Sequence, residues 1–191
     1  QPQVPYIYDI PLGSCVSRDV PNLMFAGRNL SATHIGFSST RVMATCAAVG
    51  QGAGTAAAYA VKHGLSPVGL SGSPEAMGAI QQMLLRDDAY VIGVFNEDVL
   101  DVAKKARVTA TCERPGGCAE NVLSGQTRAV DGELGGPPDR IKPGTNRWMS
   151  QSLPAALELR WPAPITPTRV HLIFDTGMHR PLTLSHSDAF V

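Results

Sequence analysis

The chain has 191 residues, and its 16 Lys and Arg side chains balance 16 Asp and Glu side chains. This balance argues against a nucleic-acid-binding protein, because neutralising phosphates requires an excess of positive charge. It also argues against a polybasic surface that binds membranes. Hydrophobic residues make up 43% of the chain, which predicts a packed core, and the length allows one large domain or two small ones.

In the N-terminal half, residues 22–27 form a short apolar run that predicts a buried strand, followed by a polar loop over 29–40. A long run of small residues then predicts a helix over 41–62. Its Gly and Ala content predicts that the helix lies close against another backbone or a ligand. The residues suited to cap this helix are Ser38, Ser39 and Thr40 at its start and Gly64 at its end.

A second helix is predicted after a loop over 64–73. It begins at Ser73, with Pro74 at the first helical position, and ends near Arg86. Apolar residues recur on one face at Met77, Ile80, Met83 and Leu84. One or two further helical turns are predicted over residues 97–105.

The first helix has two other interpretations. Residues 42–61 carry no charge and include a G-x-x-x-G motif at Gly50 and Gly54, as membrane-spanning helices do. The same stretch contains a G-x-G-x-x-A pattern from Gly52, as dinucleotide-binding loops do. We prefer a buried, close-packed helix, because Leu and Ile are few and the glycines fall three turns inside the helix rather than at its start.

After residue 100 the chain changes to short alternating segments separated by Gly and Pro. Strands are predicted clearly at 157–161 and 169–174, more weakly at 107–112, and again from 182–184. We therefore expect an α/β domain over 1–96, a connector over 97–106 and an all-β sandwich, jelly-roll-like, over 107–191. About five strands are visible where such folds have seven or eight, so the sandwich is expected to be incomplete.

The four cysteines lack the paired spacing of a zinc site, so no metal is expected. Cys46 lies in an apolar run and is expected to be a small buried hydrophobe. Cys112 and Cys118 flank a turn-rich segment, and the sequence leaves open whether a disulfide joins them.

The junction between the predicted strand and the first helix is the strongest candidate site. Gly27 and Arg28 end the strand, and a polar loop containing Ser31, Thr33 and His34 follows. A glycine beside a helix N-terminus can direct backbone amides and the helix dipole at an anionic or electron-rich ligand.

The residues of this junction also carry a family resemblance. Residues 22–34 read N-L-M-F-A-G-R-N-L-S-A-T-H, residues 39–46 read S-T-R-V-M-A-T-C, and residues 50–57 read G-Q-G-A-G-T-A-A. Together they resemble the C-terminal flavin-contacting segment of FAD-dependent oxidoreductases related to the glutathione-reductase-type flavoproteins. The resemblance covers residues 6–92 and implies part of a Rossmann-like FAD-binding domain.

The resemblance implies FAD as cofactor and assigns the site residues. The strand end would lie near the pyrophosphate and ribityl chain, and the helix N-terminus would face the pyrimidine end of the flavin. His34, as a titratable loop residue, would face the substrate and act in catalysis. The implied cofactor-binding residues are Ala26, Gly27, Arg28, Ser31, Arg41, Val42 and Met43.

The sequence departs from the family in two ways. It has no N-terminal strand followed by a G-x-G-x-x-G motif, and it has no acidic residue at the end of a second strand to bind the adenosine ribose. We therefore expect the C-terminal part of a longer flavoenzyme, whose partners are an organic substrate and the remainder of the flavoprotein chain. The expected reaction is hydride transfer from substrate to flavin. The alternative is a non-catalytic module that binds carbohydrate or protein, with the first domain as scaffold.

The second part has a weaker resemblance. Residues 121–125 (N-V-L-S-G), 146–150 (N-R-W-M-S) and the strand at 157–161 resemble a discoidin or galactose-binding type of β-sandwich. The resemblance implies a possible carbohydrate ligand. Trp148 is expected to be a core anchor rather than a sugar platform.

Overall fold

The computed structural model describes residues 8–125 and 146–174. The described part is helical up to residue 86 and contains a single two-stranded sheet after residue 100. The α-helices are α1 (His34–Thr40), α2 (Met43–His63), α3 (Pro67–Ser71) and α4 (Pro74–Arg86). Short 3-10 helices lie at Leu12–Cys15, Val102–Lys105 and Ala119–Leu123, and the strands are β1 (Arg107–Ala110) and β2 (Leu157–Arg160).

The predicted long helix is confirmed as α2, with a corrected start. It ends at Gly64, whose φ of 64° is left-handed, as expected for a glycine stop. Its N-cap is Val42, because the residues expected to cap it already belong to α1, which Thr33 caps. The predicted polar loop over 29–40 is therefore helical from His34 onward.

The core forms where α2 packs against α3 and α4. Ala56 and Ala60 of α2 are buried with Leu70 of α3 and with Ile80 of α4. The expected close packing of α2 involves its alanines and not its glycines, because a Cβ added at Gly50, Gly52 or Gly54 would meet nothing within 4 Å; contact with a ligand stays a prediction. Alanine methyl groups form the contact, and the glycine face is open. Within the described ranges, no helix is long and apolar enough to span a membrane.

Helix α4 begins as predicted. The Ser73 hydroxyl accepts a hydrogen bond from the Ala76 amide at 3.2 Å, and Pro74 occupies the first turn. The preceding segment is not entirely a loop, because Ser66 caps the short helix α3 by accepting from the Gly69 amide at 3.1 Å. A Ser-Pro pair therefore starts both helices.

The predicted buried strand over 22–27 is wrong. The segment makes an isolated antiparallel bridge between Met24 and Val16, supported by hydrogen bonds from the Ser17 amide to Leu23 O (3.0 Å) and from the Phe25 amide to Cys15 O (2.7 Å). The chain turns back on itself just before the segment, so its pairing partner is a local loop rather than a sheet. Most of its side chains are exposed as a result.

Strands β1 and β2 confirm two of the predicted strands. They pair antiparallel, with Val108 opposite Leu159 and Thr109 opposite Glu158. The strand predicted at 169–174 is wrong, because this segment has no ladder partner in the described ranges, and Val170 and Phe174 are 75% and 78% exposed. The prediction at 182–184 lies outside the described residues.

The connector is held to the elements on both sides. On the helical side, the Gln82 side chain donates to Phe95 O at 2.9 Å and accepts from the Glu97 amide at 2.8 Å. On the other side, the Trp161 indole donates to Val102 O at 2.7 Å. The predicted further turn is confirmed as the 3-10 helix at Val102–Lys105.

All four cysteines are free thiols. Cys46 is only half-buried, because its Sγ points from the first turn of α2 toward Thr40 O at 3.5 Å; Cys15 is the buried cysteine. Trp148 is half-buried, and its indole donates to Cys112 O at 3.3 Å, in agreement with an anchoring role. Among the described residues, no group of three or more metal-ligating side chains could hold an ion.

Candidate functional site

A tight turn after the bridge segment contacts the first turn of α2. Gly27 has a φ of 90°, which side-chain-bearing residues rarely adopt, and its carbonyl accepts from the Leu30 amide at 3.2 Å. A Cβ added at Gly27 would lie 3.8 Å from the Cβ of Cys46. The Ser31 amide anchors the end of the turn on Ser14 O at 2.7 Å. The turn is thus fixed beside the N-terminus of α2.

The N-terminus of α2 has no side-chain cap. Its N-cap residue, Val42, offers no hydrogen-bond acceptor in its side chain, and the first internal bond runs from the Cys46 amide to Val42 O at 2.8 Å. The amides of the first turn, beginning at Met43, therefore have no partner within the helix. In a helix of 21 residues these amides form the positive end of the helix dipole.

Positive side chains flank this helix end. Arg28 follows the turn glycine, and Arg41 immediately precedes the N-cap of α2. Both are exposed, and neither guanidinium makes a hydrogen bond or ion pair within the described ranges. Ala26 and Ser31, also predicted to contact the cofactor, are exposed on the same turn.

His34 is the first residue of α1. The Thr33 hydroxyl accepts from the Gly36 amide at 3.2 Å and so caps this helix. His34 is exposed, and no hydrogen bond or ion pair holds its imidazole among the residues that the structure describes. A capped first turn therefore orients the backbone of His34 and leaves its ring available to a ligand.

Sequence reasoning missed two residues that support this region. Thr33 is the N-cap of α1, and the signal was the spacing from Thr33 to Gly36 before a run of helical residues. Tyr8 donates from its hydroxyl to Ser39 Oγ at 2.7 Å and braces the end of α1. No local sequence pattern predicts this second contact, because it joins residues 31 positions apart.

The junction also exposes large apolar side chains. Ile35 in the first turn of α1 is 85% exposed, and Met43 at the start of α2 is 88% exposed. Val42, between the two helices, is more than half exposed. Apolar side chains next to unpaired amides and arginines suit a ligand that has a flat apolar ring and an anionic or electron-rich edge.

The structure thus brings together most of the predicted cofactor-binding residues. The turn places Gly27 beside Cys46 in the first turn of α2, and Arg41, Val42 and Met43 lie at the same helix end by chain connection. Among the described residues no hydrogen bond or ion pair joins His34 to this helix end, and six residues of α1 separate it from Arg41. The catalytic assignment of His34 therefore remains a prediction.

Comparison with known proteins identifies the relationship of this region. A sequence model of the family described as FAD dependent oxidoreductase matches residues 1–110. No match is found among curated proteins or solved structures. The donor set agrees with the cofactor of that family, because unpaired helix amides and two arginines suit both a pyrophosphate and the electron-rich edge of a flavin.

Proposed function

The chain belongs to the family of FAD-dependent oxidoreductases, and we propose that it is the C-terminal portion of a flavoenzyme that oxidises an organic substrate by hydride transfer. The observation that carries the proposal is the uncapped N-terminus of α2, which lies beside the Gly27 turn. We also propose that the fold is part of a Rossmann-like domain of the glutathione-reductase type, which the sequence motifs at 22–57 support.

The residues at the junction have separate proposed roles toward the cofactor. Gly27 lets the backbone approach the pyrophosphate closely, and Arg28 neutralises its charge. The backbone amides that follow Val42, together with the Arg41 side chain, would face the pyrimidine edge of the flavin, which is the edge that gains negative charge on reduction. When bound, FAD supplies the hydride acceptor, and the protein supplies position and electrostatics.

His34 is proposed to act on the substrate. Oxidation of an alcohol or amine removes a hydride from carbon and a proton from the adjacent oxygen or nitrogen. A neutral imidazole can accept that proton, and the exposed ring of His34 is free of any partner in the described ranges. Ile35, exposed beside it, would contact the apolar part of the substrate.

The remainder of the flavoprotein is proposed to cover the open face of α2. Residues 42–61 carry no charge, although one face of this helix is exposed along its whole length. A helix that is hydrophobic on all sides is normally buried on all sides, and most residues of this stretch are apolar or glycine. The exposed small residues that support this contact are Ala44, Ala47, Ala48, Gly54 and Ala58.

The proposed reaction can be tested by anaerobic mixing of the intact flavoprotein with a panel of primary alcohols and amines. We expect at least one compound to bleach the flavin absorption, and His34→Gln to slow this step about 10²–10⁴-fold without loss of bound FAD. His63→Gln is the matched control, because His63 stacks on Tyr59 at the opposite end of α2. Equal rates for His34→Gln and the control would refute the role of His34.

We further propose that the second part is a β-sandwich that binds carbohydrate, as a second function. The antiparallel pairing of β1 and β2 supports the β-sandwich. A shallow, open depression lined by Trp161, Pro162, Pro164, Ile165 and neighbouring residues supports carbohydrate binding. The indole NH of Trp161 is held by Val102 O, so its ring is fixed as a stacking surface. Glycan-array binding tests the carbohydrate proposal. Trp161→Ala should lose binding, and the control Leu153→Ala should keep it.

A further inference from the structure

A closed turn lies between β1 and the 3-10 helix at Ala119–Leu123. The Gly117 amide donates to Arg114 O at 2.9 Å and closes the turn. Met149 bonds to both ends, because its carbonyl accepts from the Arg114 amide at 2.8 Å and its amide donates to Gly117 O at 3.0 Å. The two sides of the turn are therefore held next to each other.

A second contact crosses the base of this turn. The Glu113 carboxylate accepts a hydrogen bond from the Ala119 amide at 2.8 Å. Glu113 follows Cys112, and Ala119 follows Cys118. A disulfide requires Cα atoms about 4–7 Å apart, and this bond between the Glu113 side chain and the Ala119 backbone ties together the residues that follow the two cysteines.

The two thiols are more accessible than the buried Cys15, and Cys112 has a lowered pKa. Cys112 and Cys118 are both partly exposed free thiols, whereas Cys15 is buried and burial raises its pKa. The Cys112 Sγ lies 3.7 Å from Ser152 O and 3.8 Å from Ser152 Oγ. Hydrogen bonds from the backbone of Ser152 and of Gln151 hold the pKa of Cys112 below its ordinary value. Cys112 is therefore suited to be the attacking thiolate.

We propose that Cys112 and Cys118 form a disulfide-forming pair that is oxidised by exchange with a disulfide compound. The Cys112 thiolate attacks one sulfur of the compound, a mixed disulfide forms, and one thiolate leaves. The Cys118 thiol then loses its proton and attacks Cys112 Sγ, which releases the second thiolate. The protein loses two hydrogens, and the compound is reduced to two thiols.

The pair can be tested on the full chain with oxidised glutathione. After oxidation, remaining thiols are alkylated and the protein is cleaved after glutamate, which cuts at Glu113 and places the two cysteines on separate peptides. We expect the wild type to lose two of its four thiols and the two peptides to stay joined until they are reduced. Cys46→Ser, at another half-buried cysteine, is the matched control and should behave like the wild type.

Single variants test the order of the two steps. Cys118→Ser should stop at a mixed disulfide between Cys112 and glutathione, and Cys112→Ser should leave Cys118 reduced over the same time. These substitutions change one atom at partly exposed positions, so folding can be checked by circular dichroism. Retention of all thiols in the wild type, pairing with a different cysteine, or equal rates in the two variants would overturn the proposal.

Discussion

Gly27 lies beside Cys46, with room for little more than a methyl group between them, since a Cβ added at Gly27 would lie 3.8 Å from the Cβ of Cys46. This approach joins the turn after the bridge segment to the first turn of α2, where the helix amides are unpaired. The space would accept a methyl group, but the backbone conformation would not, because Gly27 has a φ of 90°.

Replacing Gly27 should therefore affect both stability and cofactor affinity. We expect Gly27→Ala to lower the free energy of unfolding by about 1–3 kcal/mol, because it strains the turn, and to weaken FAD binding. The matched control is Gly78→Ala in the interior of α4, where an added Cβ meets nothing within 4 Å. That change should raise stability by about 0.5–1 kcal/mol and leave FAD affinity unaltered. Denaturant unfolding and FAD titration measure the two effects, and similar results for both variants would contradict this explanation.

The N-cap of α4 gives a second prediction. Ser73→Ala removes the acceptor for the Ala76 amide, so we expect a loss of about 1 kcal/mol in unfolding free energy. Ser73→Asp keeps a side-chain acceptor and adds a favourable charge at the helix N-terminus, so it should restore most of the loss. If chemical denaturation finds the alanine and aspartate variants equally unstable, the cap does not stabilise α4.

The Asp98 carboxylate in the connector should make the stability of the fold depend on pH in the acid range. The Leu100 amide bonded to Asp98, together with the Arg86 guanidinium, holds the pKa of Asp98 below its ordinary value. A lowered folded-state pKa stabilises the native state above the unfolded value of about 3.9. This stabilisation is lost as the pH falls through the lower folded-state pKa.

Asp98→Asn tests this pH dependence, because the amide oxygen can still accept from Leu100 while the charge is absent. We expect the variant to be less stable by about 0.2–1 kcal/mol at neutral pH and equal to the wild type in strong acid. Unfolding measured across the acid range should show the two curves converging. A difference that stays constant with pH would mean that the charge of Asp98 contributes nothing.

Local signals in the sequence were sufficient for some elements. The end of α2 at Gly64, the start of α4 at Ser73, and strands β1 and β2 were predicted, because caps and alternation are read from adjacent residues. The helix α1 was missed, since its polar residues resemble a loop and Thr33 caps it through a bond three residues away.

Other elements depend on partners that local patterns do not reveal. Residues 22–27 are apolar enough for a buried strand, yet they pair only through Met24 with Val16. Residues 169–174 alternate like a strand but have no ladder partner in the described ranges. The candidate site was predicted from the motif around Gly27, whereas the position of Gly27 beside Cys46 required the tertiary structure.

FAD affinity of the intact flavoprotein, measured by titration for arginine variants, tests the central claim most directly. Arg28→Gln and Arg41→Gln should each raise the dissociation constant about tenfold or more, because each removes a charge beside the unpaired amides of α2. Lys62→Gln removes a charge about 28 Å away along the same helix and should leave the constant unchanged. A wild-type protein that takes up no FAD, or arginine variants that bind it as tightly as Lys62→Gln, would contradict the account.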